Sequence, residues 1–180
     1  MTKNIIYYLL IFVFIVLTLI SCKNNDCART EANYGIEVDN YAKSYNLPSS
    51  YLKALIVLES SGNKPAESRF EKRVYNRLVL KYNGRLSVAA IKNLSTSWGP
   101  FQLMGYQANK LNIHIKDIRG TNSVKWGIKW INDAYGNYLR EGKFEEAFRI
   151  HNTGKPKGKT FDPDYVKNGL KYMEYFNSHK

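Results

Sequence analysis

The chain has 180 residues, with 27 Lys and Arg against 15 Asp and Glu, and a formal net charge of +12. That length suffices for one domain with a real core, and two cysteines, Cys22 and Cys27, exclude a disulfide framework. The positive balance suits an anionic polymer or a membrane surface. Nucleic acid, the usual alternative for such a charge, has no reading motif here.

The N-terminus reads as an export segment. Lys3 supplies a short positive start, Ile5 to Ile20 is almost unbroken hydrophobicity, and Leu19-Ile20-Ser21-Cys22 sets a small residue before a cysteine. Sixteen residues fall short of the roughly 20 that span a bilayer, which disfavours an uncleaved anchor helix. The last four residues resemble a bacterial lipobox. That resemblance implies a signal peptide over 1–21, cleavage before Cys22, lipid on Cys22, and a folded part facing outward on a membrane tether. Lys23, in place of the aspartate that retains enteric lipoproteins at the inner membrane, points to outer-membrane sorting. Loss of residues 1–22 removes one lysine and no acid, leaving +11.

Residues 22–34, the modified cysteine and a polar, patternless stretch, read as a tether, and 35–180 as the folded domain. From Gly35 the pattern is helical. Ile36 to Ala42 begins one helix, and Asn46-Leu47-Pro48-Ser49 separates it from a second that Gly62 stops. Phe70–Leu80 and Leu86–Leu94 read as two more, with Asn83-Gly84 as a turn. A longer helix starts near Asn122-Ser123, with an apolar stripe of Val124, Ile128, Ile131, Tyr135, Tyr138 and Leu139. Phe144–Ile150 is short, and Asp162-Pro163 is expected to open the last helix, with Val166, Gly169, Leu170 and Met173 inward. No stretch alternates as a strand. The expected class is mostly α, one domain, with no internal repeat.

Glu59 stands out within these elements. Leu52, Leu55, Ile56 and Glu59 lie at offsets of 3, 4 and 7 and share one helical face. A carboxyl on an apolar face is desolvated, and desolvation penalises its ionised form. A carboxylic acid that keeps its proton near neutrality can protonate a leaving oxygen. The alternative is a helix-end glutamate turned out to water. Trp98, Trp126, Trp130 and 14 tyrosines supply flat faces that pack a core or stack on sugar rings.

Four fragments follow in order: Glu59-Ser60-Ser61-Gly62, then Ser97-Trp98-Gly99-Pro100-Phe101-Gln102-Leu103-Met104-Gly105, then Ala147 to Gly154 with His151 and Asn152, then Tyr165-Val166. Each alone is weak: Gln102 could be a surface amide, Asn152 a helix C-cap, Tyr165 a core aromatic. Together they resemble the lysozyme-like superfamily, specifically the soluble-type lytic transglycosylases and goose-type lysozymes. That pattern runs Glu-Ser, Gly-Leu-Met-Gln, Ala-Tyr-Asn-x-Gly, Tyr-Val. Ser68 to Tyr75 with Ser97 to Gly105 is similar to phage-type N-acetylmuramidase domains. The resemblance spans roughly residues 35–177, and His151 stands where the pattern has a tyrosine.

It implies a lysozyme-like domain that cleaves the β-1,4 bond between N-acetylmuramic acid and N-acetylglucosamine in peptidoglycan. Glu59 would be acid and then base. Ser60, Gln102, Met104, His151, Asn152 and Tyr165 would hold substrate and orient it. A transglycosylase closes a 1,6-anhydro ring, whereas a hydrolase needs a second carboxylate or a positioned water. Glu71 is the candidate second carboxylate, or else a helix-surface glutamate paired with Lys72 or Arg73. Glu67 and Asp117 are weaker candidates. Gly154 to Thr160 mimics a phosphate-binding loop, but three residues rather than four separate its glycines and no helix follows at once, so it reads as a solvated basic loop at the groove rim. His114, His151 and His179 lack metal-ligand spacing, so neither metal nor cofactor is expected, and the chain is expected to be a monomer.

Overall fold

The computed structural model describes residues 25–179, so Cys22, the lipobox and the export segment lie outside the described residues. Helix α1 occupies 25–45 and is followed by α2, Ser49–Ser60. A second group of short elements comes next: β1 (Arg69–Phe70), α3 (Lys72–Tyr82), α4 (Val88–Leu94), β2 (Thr96–Trp98), β3 (Leu103–Met104), α5 (Gly105–Lys110) and α6 (Ile115–Arg119). The chain then returns through α7 (Ser123–Arg140), α8 (Phe144–Thr153) and α9 (Tyr165–Ser178). The described chain is mostly helical, and among the described residues no helix is long and apolar enough to cross a membrane.

The main core surrounds α2. Its residues from Ser50 to Val57 are all buried, so this helix is dry all round rather than amphipathic. It packs along α9, and α1, α7 and α8 complete the layer. Tyr51 lies 4.4 Å from the Phe148 ring and 6.4 Å from Tyr135, distances that let aromatic edges and faces interlock. Lys53 is the one cation in this stretch of α2, and it is bonded to both Glu31 and Asp39 of α1. A buried ammonium is tolerable only with such partners.

The tether reading is corrected here: residues 25–34 are helical and packed. Cys27, Thr30, Tyr34, Val38 and Ala42 are buried at steps of 3, 4, 4 and 4. The stripe was illegible because its first members are a thiol and a threonine, and Thr30 is buried only because Oγ1 donates to the Asp26 carbonyl at 2.8 Å. This part of α1 also ties down the segment beyond Glu59. Arg29 Nε donates to the Ser61 carbonyl (2.8 Å), Asn33 Nδ2 to Gly62 (2.8 Å) and Tyr34 Oη to Asn63 (2.6 Å).

A second correction concerns strands. β1, β2 and β3 form an antiparallel sheet in that order, with Arg69 opposite Ser97 and Ser97 opposite Met104. Strands of two or three residues are too short for alternation to register. Glu71 therefore precedes α3 instead of lying inside a helix begun at Phe70. Two smaller cores hold this region: Leu78, Ile91 and Leu94 between α3 and α4, and Leu103, Ala108 and Ile118 beneath α5 and α6. The last helix begins later than Asp162-Pro163 suggested. Asp164 is its N-cap, and Asp162 Oδ1 accepts the Asp164 N–H at 2.9 Å.

Candidate functional site

A groove of about 770 Å³ separates the end of α2 and the α8–α9 junction from the sheet. Seven of the residues singled out in the sequence line it: Glu59, Glu71, Gln102, Met104, His151, Asn152 and Tyr165. Ser60 does not. Its hydroxyl turns back to the Ile56 carbonyl at 3.0 Å, as helical serines do when they satisfy themselves locally.

Glu59 is on the last turn of α2, and its side chain is only 9 % exposed. The helix stops just beyond it because Ser61 and Gly62 take left-handed φ values of 52° and 70°. Tyr165, on the first turn of α9, donates its hydroxyl to Glu59 Oε1. Burial first, and then the neighbouring Glu59, push the Tyr165 phenol well above its usual pKa, so it remains a donor at any working pH.

His151 sits on the other side of the carboxyl, with Nε2 at 3.7 Å from Glu59 Oε1 and 3.2 Å from the Phe101 carbonyl. Its Nδ1 is 2.7 Å from the Tyr135 hydroxyl. A carbonyl can only accept, so Nε2 carries the proton, and Nδ1 accepts from Tyr135. The ring is 6 % exposed, and burial lowers its pKa against the opposing pull of Glu59 and the Phe101 carbonyl. Burial thus favours the neutral imidazole, the form in which Nδ1 accepts the Tyr135 hydroxyl. Trp130 packs edge-on at 5.8 Å from both His151 and Tyr135. Tyr135 reaches His151 from a kink in α7, where its φ and ψ are −155° and 20°.

Gln102 lies in the β2–β3 turn with φ 49°. Its amide is largely consumed by the protein. Nε2 donates to the Glu67 and Gly99 carbonyls at 2.8 and 3.0 Å, and Oε1 accepts from Ser97 Oγ at 2.7 Å. The residue expected to hold substrate thus fastens the groove wall. Asn152 is divided in its tasks: Oδ1 accepts the Phe161 N–H at 3.2 Å, while Gly154, not Asn152, caps α8.

Glu71 faces the same groove, but its partner is neither Lys72 nor Arg73. Arg69 Nε donates to Oε1 at 2.8 Å, and the Glu71 side chain is 37 % exposed. Glu67 contributes only a backbone carbonyl, and Asp117 caps α6 through the His114 N–H at 3.1 Å. Sequence reasoning passed over Arg69 and Phe161 as groove residues and saw Tyr135 only as core, whereas Lys159, in the basic loop expected at the groove rim, does line it. Phe161, almost wholly exposed at the groove rim, was visible as an aromatic in a polar loop. Nothing local marks Arg69 or Tyr135.

The arrangement places one desolvated carboxyl between a phenol donor and a neutral imidazole, at the wall of an open groove. Comparison of the chain with models of protein families, with curated proteins and with solved structures returns no match in any of the three.

Proposed function

We propose that the chain is a peptidoglycan-cleaving enzyme with a lysozyme-like fold, acting on the bond between N-acetylmuramic acid and N-acetylglucosamine by lytic transglycosylation. The observation that carries this reading is the setting of Glu59: a single shielded carboxyl, gripped by Tyr165 and flanked by His151, in an open groove of about 770 Å³. Glu59 gives its proton to the glycosidic oxygen as the C1–O bond breaks. Its carboxylate then takes the proton of the sugar's 6-hydroxyl, and O6 closes on C1 to give the 1,6-anhydro end with no water consumed. The hydroxyl of Tyr165 stabilises the carboxylate between the two steps. Gln102 shapes the wall, and Asn152 and Met104 offer contacts along it.

Hydrolysis by a muramidase is the second reading, because Glu71 lines the same groove. Its Oε1 is engaged by Arg69, whereas transglycosylation needs no second carboxylate, and this favours the first reading. The protein is proposed to face the periplasm of a bacterial cell envelope, held by lipid on Cys22, with the outer membrane preferred.

Purified sacculi incubated with the chain from Asn24 onward test these readings by mass spectrometry of the products. Anhydro-muropeptides support the transglycosylase, and reducing ends support the muramidase. Intact sacculi that retain the protein indicate a binding module of another class, a non-catalytic peptidoglycan-binding lipoprotein. Glu59→Gln should lower turnover about 10²–10⁴-fold, the worth of a positioned general acid, without unfolding the chain. Full activity in that variant would remove Glu59 from the centre of the mechanism.

A further inference from the structure

Residues 72–116 contain eight lysines and arginines and not one aspartate or glutamate, so all 15 acids lie elsewhere in the chain. Six of these cations, Lys72, Arg73, Arg77, Lys81, Arg85 and Lys92, belong to the α3–α4 hairpin. All six are exposed, and none forms an ion pair among the described residues. The hairpin folds on its own small core of Leu78, Ile91 and Leu94, which fixes what faces out.

Aliphatic side chains face out among these cations. Leu80 is 82 % and Val88 70 % exposed, and Val79 is exposed beside Leu80. On α3, Arg73 and Arg77 precede Leu80 by 7 and 3 residues, so the three share one face. Lys92 follows Val88 by one helical turn on α4. The five-residue link 83–87 joins the end of α3 to the start of α4, and the two helices pack on one shared core, Leu78 with Ile91 and Leu94. Uncompensated cations around exposed aliphatics are the composition of a surface that rests on a lipid interface.

We propose that the outward face of the α3–α4 hairpin docks on an anionic phospholipid surface. The cations neutralise headgroup phosphates, and Leu80 and Val88 enter the boundary between headgroups and acyl chains. A hydrated anionic polysaccharide would match the charge but would leave both aliphatic side chains in water, so lipid fits both features. This proposal stands apart from the reading of the groove and from lipid at Cys22. Either can fail without the other.

Sedimentation with vesicles tests it, using the chain from Asn24 so that the apolar N-terminal segment contributes nothing. The core described above draws only on residues 27–176, which that chain retains. Vesicles of phosphatidylcholine with phosphatidylglycerol should carry the protein down, and vesicles of phosphatidylcholine alone should not. Arg73→Glu with Arg77→Glu should weaken the partition about tenfold or more. Leu80→Ser with Val88→Ser should weaken it about threefold or more, with the melting temperature of both double variants unchanged. Absence of binding, equal binding to both vesicle types, or an aliphatic double variant that binds as well as the parent would each overturn the proposal. Equal competition by soluble polyglutamate against both the parent and the aliphatic variant would do so too, and would assign the face to an anionic polymer.

Discussion

Glu59, Tyr165, His151 and Tyr135 form a continuous polar line from groove to core, and each link has a separate physical job. The Tyr165 hydroxyl is the only donor bonded directly to the Glu59 carboxyl among the described residues. A hydrogen bond to a charged group contributes about 1.5–3 kcal/mol, so Tyr165→Phe should lower the rate of glycan cleavage about 10–100-fold. Circular dichroism should show the fold intact, because the ring and its contact with Phe148 remain. His151→Phe keeps a flat ring but leaves the buried Tyr135 hydroxyl without its acceptor, a loss of about 1–3 kcal/mol measurable by urea denaturation. The same variant has a signature in pH. His151 is lowered from 6.5 in the fold, so the unfolded chain takes up the proton first as the solution is acidified. Stability from the neutral ring is therefore complete above 6.5 and is lost as pH falls below it. Melting temperatures measured across that range should slope in the parent and flatten in His151→Phe.

At the scale of elements, the groove depends on how closely short pieces approach one another. Gly105 opens α5 directly after Met104, and a Cβ there would sit 2.1 Å from the Asn93 carbonyl oxygen of α4. That oxygen is backbone and cannot swing aside. Gly105→Ala should therefore cost about 1–3 kcal/mol in urea denaturation and displace β3, which carries Met104. Helix α1 holds the far side through its bonds to Ser61, Gly62 and Asn63. Burial raises the Cys27 thiol from 9.0 to about 11 and the Tyr34 phenol from 10.0 to about 12. The unfolded chain gives up those protons first, so stability from α1 is full below 9 and is lost as pH rises through 9 to 12. An alkaline thermal titration should show that decline, and Cys27→Ala should remove its earlier part.

The whole molecule joins a helical body built on α2 to a cationic part of short elements that carries no acid from 72 to 116, with the groove between them. The body is closed only with residues 25–34 in place. A chain starting at Gly35 would lose the burial of Cys27, Thr30 and Tyr34 and three bonds to the segment after Glu59. Summed at ordinary magnitudes the loss is about 5 kcal/mol, the lower end of a domain's entire stability. That chain should melt without a cooperative transition, whereas the chain from Asn24 should melt cooperatively. A cooperative melt in both would restore the tether reading.

Much of the helical body was legible because periodicity reports which side of a helix is dry. The stripe from Val124 to Leu139 delimited α7, and Leu52, Leu55 and Ile56 announced both the burial of α2 and the odd position of Glu59. Residues 25–34 were misread because a buried threonine and cysteine carry no apolar signal, and β1–β3 because so few residues cannot alternate. The partners of Glu59 were beyond any local pattern. Tyr165 lies 106 positions away, His151 meets Phe101 across 50, and Gln102 was spent on Glu67 and Ser97 instead of remaining free. Hydrophobic spacing is a one-dimensional property and selects faces. Hydrogen bonds have lengths and directions, and only the packed chain brings a donor to its acceptor.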